Sequence, residues 1–214
     1  MSYIDFYNKK TYNKVGGFRK KAILGFISKN RTVVLDIGCS DGELGEIIKV
    51  EKECRVWGVD ISHESIEQAS KKIDKTFVVD IDMELAKWPG EIVAQKFDYI
   101  ILSEVLEHML HPEEVLRKAK ELLNSDGKII ITVPNILFWK NRLRIFFGNF
   151  DYEDKGLMDR GHIHFFSWKS FCKTIEGSGL KIINTNNHIP TRGTKKLGKQ
   201  FPGLFSYQFV VEVN

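Results

Sequence analysis

Two hydrophobic periods alternate along this chain. Short apolar runs stand at Val33–Ile37, Arg55–Asp60, Thr76–Asp80, Phe97–Leu102 and Lys128–Val133, and each reads as a strand. Stretches with helical spacing lie between them. Glu43–Val50 follows the first run. Ser62 can cap the next helix, with Glu64 in its first turn and Ile66, Ala69 and Ile73 on one face. "HPEEVLRKAKELLN" reads as a helix with Pro112 suited to its start, and sets Val115, Leu116, Ala119, Leu122 and Leu123 in a stripe. "SDG" turns the chain into the fifth strand, which Pro134 ends. Runs that are apolar throughout are covered on both faces. The rhythm therefore predicts a mostly parallel sheet in an α/β three-layer sandwich.

The pattern changes after Pro134. Residues 135–166 are long, aromatic and basic, and fit neither period, so they read as an insertion over the carboxyl edge of the sheet. Ser167–Glu176 resumes as a helix, stopped by Gly177 and Gly179. Leu180–Thr185 and Tyr207–Val213 are the last strands expected, with "TRGTKKLGKQFPG" as a mobile hairpin loop between them. Segment 1–30 is basic and aromatic, with helical spacing at Phe18, Ile23, Leu24 and Ile27. One domain over residues 1–214 is the simplest organisation at this length.

Composition narrows the class only modestly. Apolar residues make up 43% and charged residues 28%, as in ordinary globular chains. A net charge of +4 admits an anionic ligand without demanding nucleic acid. Cys39, Cys54 and Cys172 show no CxxC pair or metal-finger spacing, which fits a reduced, cytoplasmic protein. "MSYIDFYNKK" lacks the apolar core of a signal peptide, and no run approaches the roughly 18 apolar residues of a membrane span.

The chemistry concentrates in "VVLDIGCSDGELG". In open α/β sheets ligands bind beyond the carboxyl ends of the strands, so the loop after the first strand is the place to look. A dinucleotide fingerprint needs glycine in the middle position, where this chain has Ser40. Asp36 and Asp41 would also repel a pyrophosphate, and no GK[ST] follows for a nucleoside triphosphate. A ligand with a cationic end fits better. S-adenosylmethionine (SAM) has an ammonium, a sulfonium, a ribose diol and an adenine. Asp36 can order the loop or meet the ammonium, and Gly38 and Gly42 let the backbone approach the amino-acid part. Asp60, ending the second strand, can take both ribose hydroxyls. Asp80, ending the third, can accept from the adenine amine while the Ile81 amide donates to the ring.

With these blocks in order, the sequence resembles the class I SAM-dependent methyltransferases. The matching stretches are "VLDIGCSDGELG", "VWGVDIS", "VVDID", "FDYIILSEVLEH" and "LLNSDGKIIITVPN", and the resemblance covers about Thr32 to Pro190. The resemblance implies a Rossmann-like seven-stranded sheet with the last strand antiparallel. It also implies SAM contacts at Asp36, Gly38, Cys39, Gly42, Asp60, Ile61, Asp80, Ile81 and the backbone of Ser103, Glu104 and Val105. Ser40 stays in that set, although many members have glycine or alanine there. "PNILFWKNRLRIFFGNFDYEDKGLMDRGHIHFFSWKSF" resembles the branch of methionine-biosynthesis protein W and of glycan-cluster methyltransferases.

Methyl transfer is an in-line displacement, catalysed largely by positioning, with a base needed only where the acceptor proton must leave. "SEVLEH" follows the fourth strand and places Glu104, Glu107 and His108 at helical spacing, on one face. His108 is the candidate base, with Glu107 and His162 beside it; packing or capping is the alternative for His108. His162 and His164 alternate in the insertion and could face one side. Glu104, Glu107, His108 and His162 also resemble the metal-binding set of small-RNA 3′-end 2′-O-methyltransferases, and similar residues recur in ubiquinone-pathway O-methyltransferases. A divalent cation there (Mg, Mn, Fe or Zn) could orient a vicinal diol.

The expected function is methyl transfer from SAM to the oxygen of a small-molecule or saccharide acceptor. The alternative is a SAM-binding accessory protein of a methionine-pathway acyltransferase. "ILFWKNRLRIFFGNF", residues 136–150, reads as a cap helix over the acceptor pocket or as an interfacial membrane helix. Arg192, Lys195, Lys196 and Lys199 form a basic cluster that lacks the interleaved aromatics of a nucleic-acid site.

Overall fold

A computed structural model describes residues 15–84 and 87–214. The portion of the N-terminal segment before residue 15 lies outside the described residues. The remainder of that segment forms α1, Gly17–Phe26. The chain then runs β1 Val33–Ile37, α2 Glu43–Lys52, β2 Arg55–Asp60, α3 His63–Ala69, β3 Lys75–Val78, α4 Gly90–Ala94 and β4 Phe97–Ser103. A 3₁₀ turn at Leu106–His108 leads to α5 Pro112–Glu121 and β5 Leu123–Pro134. The insertion carries α6, Trp139–Phe146. After it come α7 Trp168–Gly177, β6 Ile182–Thr185, short helices α8 Lys195–Gln200 and α9 Pro202–Phe205, and β7 Gln208–Val213.

The described strands form one seven-stranded sheet in the order β3-β2-β1-β4-β5-β7-β6. All pairs are parallel except those of β7, which runs antiparallel to both β5 and β6. Strand alternation splits the core in two. Leu35, Val59, Ile100, Ile131 and Val211 pack against α4, α5 and α7, whereas Val34, Val56, Ile101 and Ile130 pack against α1, α2 and α3. This is the expected three-layer sandwich. Continuous burial holds for the central strands such as β1, but the edge strands β3 and β6 are largely exposed.

Local chemistry explains the helix ends. The Ser62 hydroxyl accepts from the Ser65 amide at 3.2 Å and caps α3. Ser167 and Ser170 make a reciprocal capping box for α7. The insertion leaves and returns at one place, where the Ile136 amide donates to the Phe166 carbonyl at 3.0 Å. The stretch after β6 is not a hairpin loop. It folds into a 3₁₀ turn, α8 and α9, anchored where the buried Asn135 side chain donates to the carbonyls of Gly203 and Ser206 at 3.2 and 2.7 Å.

Candidate functional site

The strand order reverses between β1 and β4, and a cavity of about 1060 Å³ opens beyond their carboxyl ends. All the cofactor-site and catalytic residues expected from sequence line it except Gly42 and Glu107.

The glycine loop is shaped by close approach. Gly38 and Gly42 both have left-handed backbone, with φ of 74° and 78°. A Cβ on Gly38 would stand 2.6 Å from Val105 Cγ2, and one on Gly42 would stand 2.9 Å from the Ala69 backbone. Gly42 therefore seats the start of α2 against α3 rather than facing the cavity. Ser40 is also left-handed, at φ 48°, and its amide donates to Asp60 Oδ2 at 2.9 Å. The Ser62 amide donates to Asp60 Oδ1 at 2.9 Å. The Asp60 carboxylate thus ties the loop after β1 to the start of α3. Each of its oxygens has a second lone pair for a ligand hydroxyl. Burial raises its pKa, against the pull of these backbone amides.

Asp36 sits within β1, 2% exposed, and its Oδ2 has no hydrogen-bond partner among the described residues. Burial first and Asp60 second push its pKa up to about 7, while Arg19 pulls the other way. Asp80 lies two residues beyond β3. Its Oδ1 accepts from the Asp82 amide at 3.1 Å. Lys118 of α5 reaches under this loop, donating to the carbonyls of Ile81 and Met83, each at 2.6 Å.

The "SEVLEH" face does not form. Glu104 has φ of 60°, and regular helix begins only with the single 3₁₀ turn at Leu106. Its side chain turns toward β5, β7 and α1. Oε1 accepts from Gln208 Nε2 at 2.7 Å and Thr132 Oγ1 at 3.1 Å, and Oε2 faces Arg19 Nη1 at 3.7 Å. Glu107 and His108 instead meet His162 from the insertion. One ligand atom from each of the three lies within 4.8 Å of the other two, and all three residues are buried. The imidazoles of His108 and His162 meet edge to face, centroids 4.9 Å apart. His108 Nδ1 lies 2.7 Å from the Gly161 carbonyl, which can only accept, so Nδ1 carries the proton. Glu107 stands behind the two histidines. Its backbone carbonyl accepts from the amides of Ile163 and His164 at 2.9 and 3.0 Å, fastening the insertion there. His164 does not share the face of His162. Its ring lies against Phe166, and Nε2 is 3.4 Å from the Leu110 carbonyl.

Residues 136–150 do not cap the cavity. The insertion's contribution comes later, from Lys155, Gly156, Asp159 and His162. Arg19, Lys155, Asp159, His188, Tyr207 and Gln208 line the cavity without having been expected. The two cations and the acid lie in basic or mixed stretches with no distinguishing spacing. The aromatics and Gln208 reach the site only because β7 lies beside β5.

A family described as a methyltransferase domain matches residues 8–185. The ubiquinone biosynthesis O-methyltransferase of Neisseria meningitidis serogroup C is 27% identical over 128 residues, covering 59% of this chain and 54% of that protein. The chain thus spans about half the length of that relative. The protein of the same name from Aeromonas salmonicida is 25% identical over 182 residues, covering 83% of this chain and 75% of its own. Magnesium protoporphyrin IX methyltransferase from Synechocystis PCC 6803, solved with bound SAH, shares the fold. Its TM-score is 0.66 at 16% identity, over 98% of this chain and 96% of that one. The cavity at the strand-order reversal and the match over most of the chain agree: this protein belongs to the methyltransferase-domain family and carries a class I SAM-dependent methyltransferase domain.

Proposed function

We propose that the protein moves the methyl group of SAM to a hydroxyl oxygen of a small-molecule acceptor, with His108 as general base. One observation carries this reading. The bond from His108 Nδ1 to the Gly161 carbonyl leaves the lone pair of the neutral ring on Nε2, in a residue that lines the cavity beyond β4. The acceptor oxygen attacks the methyl carbon in line. The C–O bond forms as the C–S bond breaks, S-adenosylhomocysteine leaves, and the hydroxyl proton passes to Nε2. Asp60 holds the ribose, Asp80 and the Ile81 amide hold the adenine, and Asp36 meets the ammonium. The curated relatives, named as O-methyltransferases of ubiquinone biosynthesis, support oxygen as the acceptor atom. A saccharide acceptor and the methionine-W and glycan branch rest on sequence resemblance alone. An accessory protein would have no need of a base on this wall.

The test pairs calorimetry with turnover. His108→Ala should keep SAM affinity and lose label transfer from radiolabelled SAM to fractionated small molecules. Turnover at the wild-type rate would overturn the assignment of the base.

The cluster itself favours a second reading. A carboxylate and two imidazoles this close fit one divalent cation of the Mn, Fe or Zn type, held by Glu107, His108 and His162 without Glu104. Such an ion would supply Lewis-acid polarisation of the hydroxyl. Nε2 of His108 cannot hold a cation and take a proton together, so metal analysis separates the two readings. Bound metal together with loss of turnover on chelation would select this one. A metal-free protein that is indifferent to chelator would end it.

A further inference from the structure

The sequence 143–150 contains an amphipathic stripe that the fold leaves in water. Leu143, Phe146, Phe147 and Phe150 follow i, i+3, i+4, i+7 spacing, which ordinarily marks a core-facing helix. Here Leu143 is 49% exposed, Phe146 80%, Phe147 73% and Phe150 52%. Asn141 is the buried residue of α6. The aromatic surface continues past the helix, where Phe150, Tyr152 and Phe165 have centroids 6.4 to 6.5 Å apart.

Charge is concentrated beside the stripe. Residues 135–150 contain Lys140, Arg142 and Arg144 and no acid. Residues 186–211 contain Arg192, Lys195, Lys196 and Lys199 and again no acid. The two segments touch, since Arg142 Nη2 donates to the Gly203 carbonyl at 3.3 Å and Asn135 donates to the same carbonyl. The second segment adds its own exposed apolar side chains, Leu197 and Phe201. Together they hold seven cations, against +4 for the whole chain, so the rest of the protein is net negative. Arg144 is paired with Glu153 at 2.8 Å, which leaves the excess strongly positive.

We propose that this face seats on an anionic lipid surface, the Leu143–Phe150 stripe entering the headgroup boundary and the surrounding lysines and arginines meeting lipid phosphates. Charge complementarity decides the occupant. A second copy would bring the same cations face to face. A water-soluble polyanion would match the charge but give the apolar stripe no hydrocarbon to enter. The proposal is independent of methyl transfer, because binding is read directly.

The experiment is co-sedimentation of the purified protein with vesicles of phosphatidylcholine alone and of phosphatidylcholine mixed with phosphatidylglycerol. Binding to the mixed vesicles, weakened by salt and absent with phosphatidylcholine alone, is expected. The double variant Phe146→Ser, Phe147→Ser should lose binding by about tenfold or more, since two large apolar side chains that would enter the lipid are removed. Its SAM affinity should be unchanged, which shows that it is folded. Failure to bind the mixed vesicles would overturn the proposal. So would unchanged binding by the double variant, or a dimer in solution that the double variant abolishes.

Discussion

Two carboxylates are proposed to hold the cofactor, and each makes a separate demand. Asp60 is held by the amides of Ser40 and Ser62, so its orientation is set before a ligand arrives. Asp60→Ala should weaken SAM binding by well over tenfold in calorimetry, because a charge-assisted hydrogen-bond pair is lost along with the tie across the loop. Unchanged affinity would count against a ribose role. Asp36 gives a pH signature. Its folded pKa of about 7 stands above the ordinary 3.8. Between those values the folded state holds a proton that the unfolded state has released. Asp36 therefore makes stability fall as pH rises through that window, levelling off above about 7. A cationic ligand favours the ionised form, so SAM affinity should rise through the same upper pKa. Asp36→Asn should flatten both trends, measured by denaturant midpoints and by calorimetry. Ser40 occupies a position where a middle glycine was the reference. Its left-handed backbone puts its amide on Asp60, the carboxylate proposed to take the ribose, rather than toward a pyrophosphate.

Among the elements, loop, turn and clamp matter more than helix length. Gly42 lets α2 begin directly over α3. Gly42→Ala adds a Cβ against backbone at 2.9 Å in a conformation unfavourable to L-residues. A loss of about 1–3 kcal/mol is expected in denaturant unfolding. Lys118 ties α5 to the loop that presents Ile81. Lys118→Met would strip two carbonyls of their donor, a cost of about 1–3 kcal/mol each where they are buried. Thermal unfolding together with weaker SAM binding would register both consequences. The turn after β4 shows how little backbone decides the wall proposed to be catalytic. One left-handed residue, Glu104, breaks the helical spacing and sends its carboxylate to Gln208 while Glu107 and His108 go to His162.

For the whole molecule, the site is a junction between the two hydrophobic cores. Its walls come from α1, the strand ends, the insertion and β7, so a ligand in the cavity bridges segments far apart in sequence. SAM should therefore stabilise the fold as a unit, by about 2.7 kcal/mol at a hundredfold excess over its Kd. A concentration-dependent rise in Tm is the expected reading, and S-adenosylhomocysteine should act in the same way. A Tm indifferent to both would contradict a cofactor site that spans these walls. Among the described residues no helix is long and apolar enough to cross a membrane. An interfacial face on α6 places no such demand on length.

The sheet, its parallel core and the acids at the strand ends were legible from sequence, because they are written locally. Alternation, helical spacing, caps and a residue's place at the end of a strand all follow from neighbours in the chain. The glycine loop, Asp36, Asp60 and Asp80 belong to that local record. Three things needed the tertiary structure. Glu104 parts from Glu107 because of a single backbone angle, which residue spacing does not encode. Arg19, Tyr207 and Gln208 enter the site because sheet order and the packing of α1 bring distant segments together. The stripe from Leu143 to Phe150 has core periodicity, yet it faces solvent, because the insertion is fastened at Ile136 and Phe166 and its inward contacts come from Lys155 to His162. Periodicity says that a side has formed; only packing says what that side meets.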